Sequence, residues 1–336
     1  MSNPPDTSPL SAAVVAVIPT YNEADHIETC VRSLVTDSTK SIPILIVDGM
    51  STDGTQAIVE GMKAEFPNLT LVDNPKRLQS AALNLAAEHP VAADKKFMVR
   101  CDAHSIYPAD FIASVTESLI ATKAASVVTV MDAVGSSCFE RANAWIVDTP
   151  LGSGGSAHRG GTKSGYVDHG HHAGFELNWF NQVGGYDETF SHNEDAEYDR
   201  RLSDAGGKIY LDADIRIEYV PRGSLSSLAR QYFNYGKGRA RTVFKHKSPP
   251  KLRQLIPVAA FLGCLFGLLI APLVPLSITV PGTYIMLIVL VSAYFVVVKK
   301  SMCGIWAGLA MAAMHLSWGA GFLAQLLRIV TKKAPL

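Results

Sequence analysis

Between Gln254 and Val298 the chain runs for 45 residues without a charged side chain. A soluble helical hairpin keeps charge on its outer face, so a run of this length is difficult to place in an ordinary buried core. A bilayer core takes about 20 apolar residues per helix, so the run fits two spans better than one. Helix breakers cluster from Pro272-Leu273-Val274-Pro275 to Pro281-Gly282, which places the spans at about 254–275 and 280–298. A third apolar stretch, about 303–327, follows Lys299-Lys300; it is rich in Gly and Ala and carries His315.

Charge divides the chain sharply. Its 30 Lys+Arg balance 30 Asp+Glu, yet residues 1–218 hold all the acids and 16 bases, and residues 219–336 hold 14 bases and no acid. Nine of those bases lie between Arg222 and Arg253, directly before the first span. Basic residues beside a span mark its cytoplasmic side and attract anionic headgroups, so the acidic half is expected on the cytoplasmic side. A two-span hairpin returns Lys299 and Lys300 to that side. A full third span would export Arg328, Lys332 and Lys333, so the last stretch is re-entrant or interfacial, or it breaks the rule. Tyr232, Phe233, Tyr235 and Phe244 interleave the basic segment, but its place beside a span points to a membrane-lying amphipathic helix, not to nucleic acid.

The expected organisation is a disordered start at 1–11, an α/β domain at 12–221, an interfacial segment at 222–253, a membrane region at 254–328 and a basic tail at 329–336. No signal peptide is expected in the polar, proline-bearing start. Cys30, Cys101, Cys138, Cys264 and Cys303 form no CxxC pair, which fits a reducing compartment and no disulfide framework.

Within the acidic half, apolar β-branched runs alternate with helical spacing. Strands are expected at Ala13–Ile18, Ile44–Val47, Leu69–Val72, Phe97–Cys101 and Ser126–Val130, with helices over 24–36, 54–66 and 78–88, the second capped by Asp53. This alternation implies a mostly parallel sheet, whose ligands sit at the carboxyl ends of its strands. The polar groups Thr20–Glu23, Asp48–Asp53 and Asp102–His104 fall at those ends.

Asp102-Ala103-His104 offers a carboxylate and an imidazole two residues apart, a set that suits a divalent cation bridging phosphates; the plain alternative is a turn with an Asp cap. Asn193-Glu194-Asp195 is a second acidic cluster, or a solvated helix start. His169, His171 and His172 face substrate, bind zinc, or sit incidentally on the surface. Six glycines between Gly152 and Gly165 suit a lid. Neither a P-loop nor a GxGxxG is present.

Together these residues resemble a family 2 glycosyltransferase of the GT-A fold. Val17-Ile18-Pro19-Thr20-Tyr21-Asn22-Glu23 looks like the family's first nucleotide-binding segment, and Asp48-Gly49-Met50-Ser51-Thr52-Asp53-Gly54-Thr55 like its second. Asp102-Ala103-His104 stands where the family has its DXD metal motif, with His in place of the second Asp. Gly184-Gly185-Tyr186-Asp187-Glu188, followed by Asn193-Glu194-Asp195, resembles the segment that carries the catalytic base. Arg100–Tyr107, Val167–His172 and Arg230–Gly236 are similar to the succinoglycan-type exopolysaccharide glucosyltransferases, which add glucose in β-1,3 linkage to a galactosyl diphospho-polyprenol. No Gln-x-x-Arg-Trp follows Asp195, which weighs against a processive synthase.

The resemblance implies an inverting transfer from a UDP-sugar donor to a polyprenyl-diphosphate-linked sugar at the cytoplasmic membrane surface. It implies Asp48 at the uracil, with Pro19, Tyr21 and Glu23 shaping the pocket and Arg77 near the diphosphate. Mg²⁺ or Mn²⁺ would be held through Asp102 and His104, and Asp195 would be the base. His169, His171, His172, Glu194, Arg230, Gln231 and Arg239 are the candidates for meeting the acceptor. A processive polysaccharide synthase, a sugar nucleotidyltransferase and an inactive scaffold remain as alternatives. The sequence does not set the oligomeric state.

Overall fold

The structure is a computed structural model that describes residues 9–36 and 38–331. The chain divides into two compact units: Met1–Met131 with Gly161–Glu218, and Asp132–Gly160 with Tyr219–Leu336. Segment 132–160, expected within the α/β domain, therefore groups with the C-terminal helices. Most of the start expected to be disordered lies outside the described residues, but Pro9–Ala13 is a short helix, α1.

In chain order, β1 (Val14–Thr20), α2 (Ile27–Leu34), β2 (Ile44–Asp48), α3 (Thr55–Met62), β3 (Leu69–Asp73), α4 (Gln79–Glu88), β4 (Phe97–Arg100), α5 (Phe111–Thr122) and β5 (Ser126–Ala133) alternate as expected. Then come α6 (Cys138–Val147), α7 (Pro150–Ser153), β6 (Gly165–Val167), β7 (His171–Glu176), α8 (Leu177–Gln182), α9 (Glu194–Asp204) and β8 (Ile209–Tyr219). The helices α10 (Leu225–Lys245), α11 (Leu252–Leu269), α12 (Thr279–Val298) and α13 (Ile305–Val330) follow.

The strands form one eight-stranded sheet in the order β3-β2-β1-β4-β7-β5-β8-β6. β3, β2, β1 and β4 pair in parallel, whereas β7 enters antiparallel between β4 and β5. Val14 to Ile18 and Ile44 to Val47 are fully buried, because helices cover both faces of these central strands. Each such aliphatic side chain stabilises the fold by about 1.5–3 kcal/mol relative to exposure. The result is a rigid floor whose carboxyl edge carries Thr20, Asp48, Asp73 and Arg100. Asp53 is not the formal cap of α3, which is Gly54; its carboxylate instead accepts from Thr55 and from the Ala24 backbone, joining the loops after β1 and β2.

In the second unit α6, α10, α12 and α13 share a core of Phe139, Ala142, Ile146, Leu228, Val291, Phe295, Ala307, Ala310, Met311 and Met314. Leu252–Leu269, Pro275–Val298 and Met302–Val330 are each long and apolar enough to cross a membrane. The expectation of no disulfide is corrected here. Cys138 and Cys303 are bonded, because the fold brings the start of α6 onto the turn before α13 across 165 residues of chain, a pairing that spacing does not reveal.

Candidate active site

The loops at the carboxyl ends of β1 and β2 are stitched together by polar contacts. The Asn22 backbone N–H donates to Ser51 Oγ at 2.8 Å, the Thr52 N–H to Asn22 Oδ1 at 2.9 Å, and the Glu23 N–H to Thr55 Oγ1 at 2.9 Å. Asn22, Met50, Arg77 and Asn193 all have positive φ, at 54°, 61°, 55° and 66°. L-residues there cost about 1–2 kcal/mol each, and such strain collects where loops are held in a set shape. Asn22 and Asn193 tolerate this region, so the strain falls on Met50 and Arg77, in the loops after β2 and β3.

These loops enclose a pocket of about 210 Å³ whose wall includes Pro19, Tyr21, Glu23, Asn74, Arg77, Gln79, Asp102 and His104. The Tyr21 ring is about half exposed, with the Arg77 guanidinium 5.8 Å from its centroid, a flat cationic–aromatic rim. Six of the predicted donor and metal residues meet here. Asp48 does not: it is fully buried, and its carboxylate accepts from Ser51 N at 2.8 Å, Gln56 Nε2 at 2.7 Å and the Ser51 hydroxyl. It orders the loop after β2, and its neighbours Val47 and Gly49 line the pocket instead.

Arg100, the last residue of β4, is buried to 5% exposure beneath the site. Its Nε lies 3.2 Å from Asp102 Oδ1 and its Nη1 3.3 Å from Asp195 Oδ1, so one guanidinium joins the two acidic motifs. Gln79 Nε2 also donates to Asp102 Oδ1 at 3.2 Å, and His171 Nε2 lies 3.4 Å from Asp102 Oδ2. The Tyr186 hydroxyl donates to Asp195 Oδ1 at 2.7 Å. Burial opposes ionisation of Asp102, but Arg100 and then His171 outweigh it and hold the carboxyl well below the usual carboxylate range. Asp195 is likewise lowered, mainly by Arg100 working against its burial. Glu194, one residue away, goes the other way: burial and then the Asp195 charge push it up to about 7. Adjacent carboxyls driven apart in this way are a signature of acid–base chemistry.

The histidines separate. His171 faces Asp102. His172 is fully buried, its Nε2 2.6 Å from Asp199 Oδ1 and its Nδ1 2.6 Å from Ser126 Oγ, and His169 also bonds Asp199. The expectation that His172 meets an acceptor is therefore corrected: it braces β7 against α9. His104 Nδ1 lies 3.0 Å from Glu23 Oε1. Arg230, Gln231 and Arg239 are on α10, in the second unit, where Gln231 Nε2 donates to Tyr235 Oη at 3.1 Å. Arg100 and Tyr186 were missed as site residues. The one signal for Arg100 in the sequence is a lone cation in a predicted strand whose other four residues, Phe97, Met98, Val99 and Cys101, are apolar.

A mixed α/β sheet with a polar pocket at its carboxyl edge, one of whose wall carboxylates is joined to a second through Arg100, has the architecture of α/β enzymes that bind ligands at their strand ends. Residues 15–184 match the model of glycosyl transferase family 2, and the chain is 40% identical over 318 residues to the succinoglycan biosynthesis protein ExoA of Rhizobium meliloti, covering 94% of this chain and 96% of the relative. The chain belongs to glycosyl transferase family 2 and is a glycosyltransferase. It is also 26% identical over 241 residues to a dolichyl N-acetyl-α-D-glucosaminyl phosphate diacetamido-dideoxy-glucuronosyltransferase of Methanococcus voltae, covering 68% of this chain and 73% of that one. Among solved structures it resembles the mannosyltransferase PcManGT of Pyrobaculum calidifontis, determined with GDP-Man and Mn²⁺, at a TM-score of 0.57 and 19% identity over 99% of this chain and 92% of that one. The fold is GT-A.

Proposed function

We propose that the protein transfers a single hexose, glucose in the first instance, from a UDP-sugar to a polyprenyl-diphosphate-linked sugar, with inversion to a β linkage. The β-1,3 bond follows the family likeness. The reaction would serve exopolysaccharide repeat-unit assembly on the cytoplasmic face of a bacterial inner membrane. The observation that carries this reading is the buried Arg100, which ties the pocket carboxylate Asp102 to Asp195. The relationship to a succinoglycan biosynthesis protein and the dolichyl-linked substrate in the name of the archaeal relative support the choice of pathway and acceptor class.

The uridine would lie on Tyr21 and Arg77, with Asp48 acting through Ser51 and Gln56 to keep the loop in shape. Asp102 and His104 would hold Mg²⁺ or Mn²⁺. Among the described residues no three His, Cys, Asp or Glu cluster as a ready cage. That donor set still fits, since such ions take one or two protein ligands and complete their shell with substrate phosphates and water. When bound, the ion would supply positive charge to the departing diphosphate.

The remaining work falls to the chain itself. Asp195 Oδ1 already accepts from Tyr186 and Arg100, which leaves Oδ2 to take the proton of the acceptor hydroxyl. As that oxygen bonds to the anomeric carbon, the bond to the diphosphate oxygen breaks on the opposite face, giving inversion. Glu194, protonated in part near neutral pH, would donate to a sugar hydroxyl while Asp195 stays ionised. Arg230, Gln231 and Arg239 on α10 are proposed for the acceptor, whose diphosphate suits guanidinium donors.

The test is transfer of radiolabel from UDP-glucose into solvent-extractable lipid by membranes containing the protein, with Mn²⁺ or with chelator. A metal-dependent lipid product one hexose longer than its acceptor is expected. Label in high polymer would instead indicate a processive synthase. No lipid label with UDP binding intact would refute the donor and acceptor named here.

A further inference from the structure

We propose that Asn84 is a positioning residue for the transfer: its amide fixes the backbone of Tyr186 and thereby keeps the Tyr186 hydroxyl on Asp195. The proposal rests on the reading of Asp195 as the base and deepens it by naming what holds that base in place.

The Asn84 side chain, on α4, pairs with both backbone groups of one residue. Its Oδ1 accepts from the Tyr186 N–H at 2.8 Å, and its Nδ2 donates to the Tyr186 carbonyl at 2.9 Å. The second Nδ2 proton goes to Glu188 Oε1 at 3.0 Å, and Glu188 is itself ion-paired with Lys76. Reversing the amide would set donor against donor and oxygen against oxygen, so its orientation is fixed and both its donors are used. The approach depends on glycine. A Cβ added at Gly185, where φ is 63°, would stand 2.4 Å from Asn84 Oδ1 and 3.1 Å from Phe180 Cε1. A side chain there would push the amide off Tyr186.

From that anchored backbone the Tyr186 ring has little freedom. It is buried, stacked on Tyr198 with 4.8 Å between centroids, and edge-on to Phe175 at 6.1 Å and Phe180 at 5.9 Å. With backbone and ring both held, the hydroxyl stays 2.7 Å from Asp195 Oδ1.

The start of α4 reaches the other carboxylate. Gln79 Nε2 donates to Asp102 Oδ1 at 3.2 Å, and Gln79 and Ala82 are in the pocket wall. One helix thus supports Asp102 directly and Asp195 through Tyr186. Asn84 itself is not in the pocket wall, so its removal reaches the reaction through Tyr186 and not through the donor. Misplacing a reacting group by about 1 Å can cost about 100-fold in rate.

The full-length protein in bacterial membranes tests this. For Asn84→Ala, Asn84→Asp, Tyr186→Phe and the double variant Asn84→Ala with Tyr186→Phe, kcat and KM for transfer from UDP-glucose to lipid are measured together with UDP affinity. Asn84→Asp keeps the size of the side chain and one acceptor but turns an oxygen toward the Tyr186 carbonyl. Each single variant should lower kcat by about 10- to 100-fold, with KM and UDP affinity within a few-fold of wild type. Both positions act through one hydroxyl, so the double variant should be slower than Tyr186→Phe by no more than about threefold. Losses that multiply in the double variant, wild-type kcat in either Asn84 variant, or UDP affinity that falls in step with kcat in both, would overturn the proposal. Asp195→Asn in the same assay separates the proposal from the reading beneath it. Transfer at the wild-type rate there would overturn Asp195 as the base, whereas its loss with Asn84→Ala fully active would overturn the proposal alone.

Discussion

Replacing Arg100 with Met keeps an unbranched stem in β4 and removes the charge that Asp102 and Asp195 share. At 3.2–3.3 Å, and with an effective dielectric near 20, each contact represents about 5 kcal/mol of attraction before desolvation is subtracted. Removing one partner of a buried pair costs about 3–5 kcal/mol, because the other charge is left uncompensated. Asp195 then loses the group that holds its carboxyl down, and its titration should rise. The sign follows from linkage. A depressed carboxylate contributes stability above its unfolded pKa, and that stability is lost as pH falls through the folded value. With Arg100 gone, the loss begins at higher pH, and the acidic limb of transfer moves up with it. The assay is kcat/KM for lipid-linked transfer between pH 5 and 9 in wild type and Arg100→Met, with UDP binding measured in parallel. An upward shift of the acidic limb, with UDP affinity changed only a few-fold, is expected. Loss of transfer with an unmoved profile, or collapse of UDP binding together with transfer, would refute the coupling and leave Arg100 a packing residue.

Two further predictions concern neighbouring groups. Glu194 is raised to about 7 from an unfolded value near 4.3, so its contribution is fully present below about pH 4.3 and is lost as pH rises to 7. Glu194→Gln should therefore gain roughly 2–4 kcal/mol over wild type by pH 8 and little at pH 4.5; thermal unfolding of the detergent-solubilised protein across that range checks it, and a pH-independent difference would count against the raised value. Tyr21→Ala removes a stacking face with about 1–3 kcal/mol of base contact, so UDP should bind about 5- to 150-fold more weakly by calorimetry, and unchanged affinity would move the base elsewhere.

Much of the sheet was legible because β1 to β5 are apolar runs ending in polar turns, and burial on both faces leaves that mark. The pocket residues were legible for the same reason, since ligands gather at strand ends. The antiparallel β7 was not. Its sequence, His171 to Glu176, holds two histidines and a glycine, and only the long-range pairing with β4 and β5 makes it a strand. That strand decides the histidines' fates: alternation sends His171 toward Asp102 and His172 into the core toward Asp199. Asp48 was placed correctly at a strand end, but its engagement by Ser51 and Gln56 depends on loop geometry that spacing does not encode. The hydropathy of Met302–Leu327 reports its apolar surface, while its packing against α6, α10, α11 and α12 is a tertiary fact.

Asp195, proposed as the proton acceptor, is not itself in the wall of the donor pocket, to which it is joined through Arg100 and Asp102. The most direct measurement compares wild type with Asp195→Asn for UDP affinity and for hexose transfer to lipid, in the same membranes and with the same metal. A positioned base contributes about 10²–10⁴-fold, so transfer should fall by that factor while UDP affinity stays within a few-fold of wild type. Transfer retained at the wild-type rate would contradict the assignment of Asp195 and the mechanism built on it.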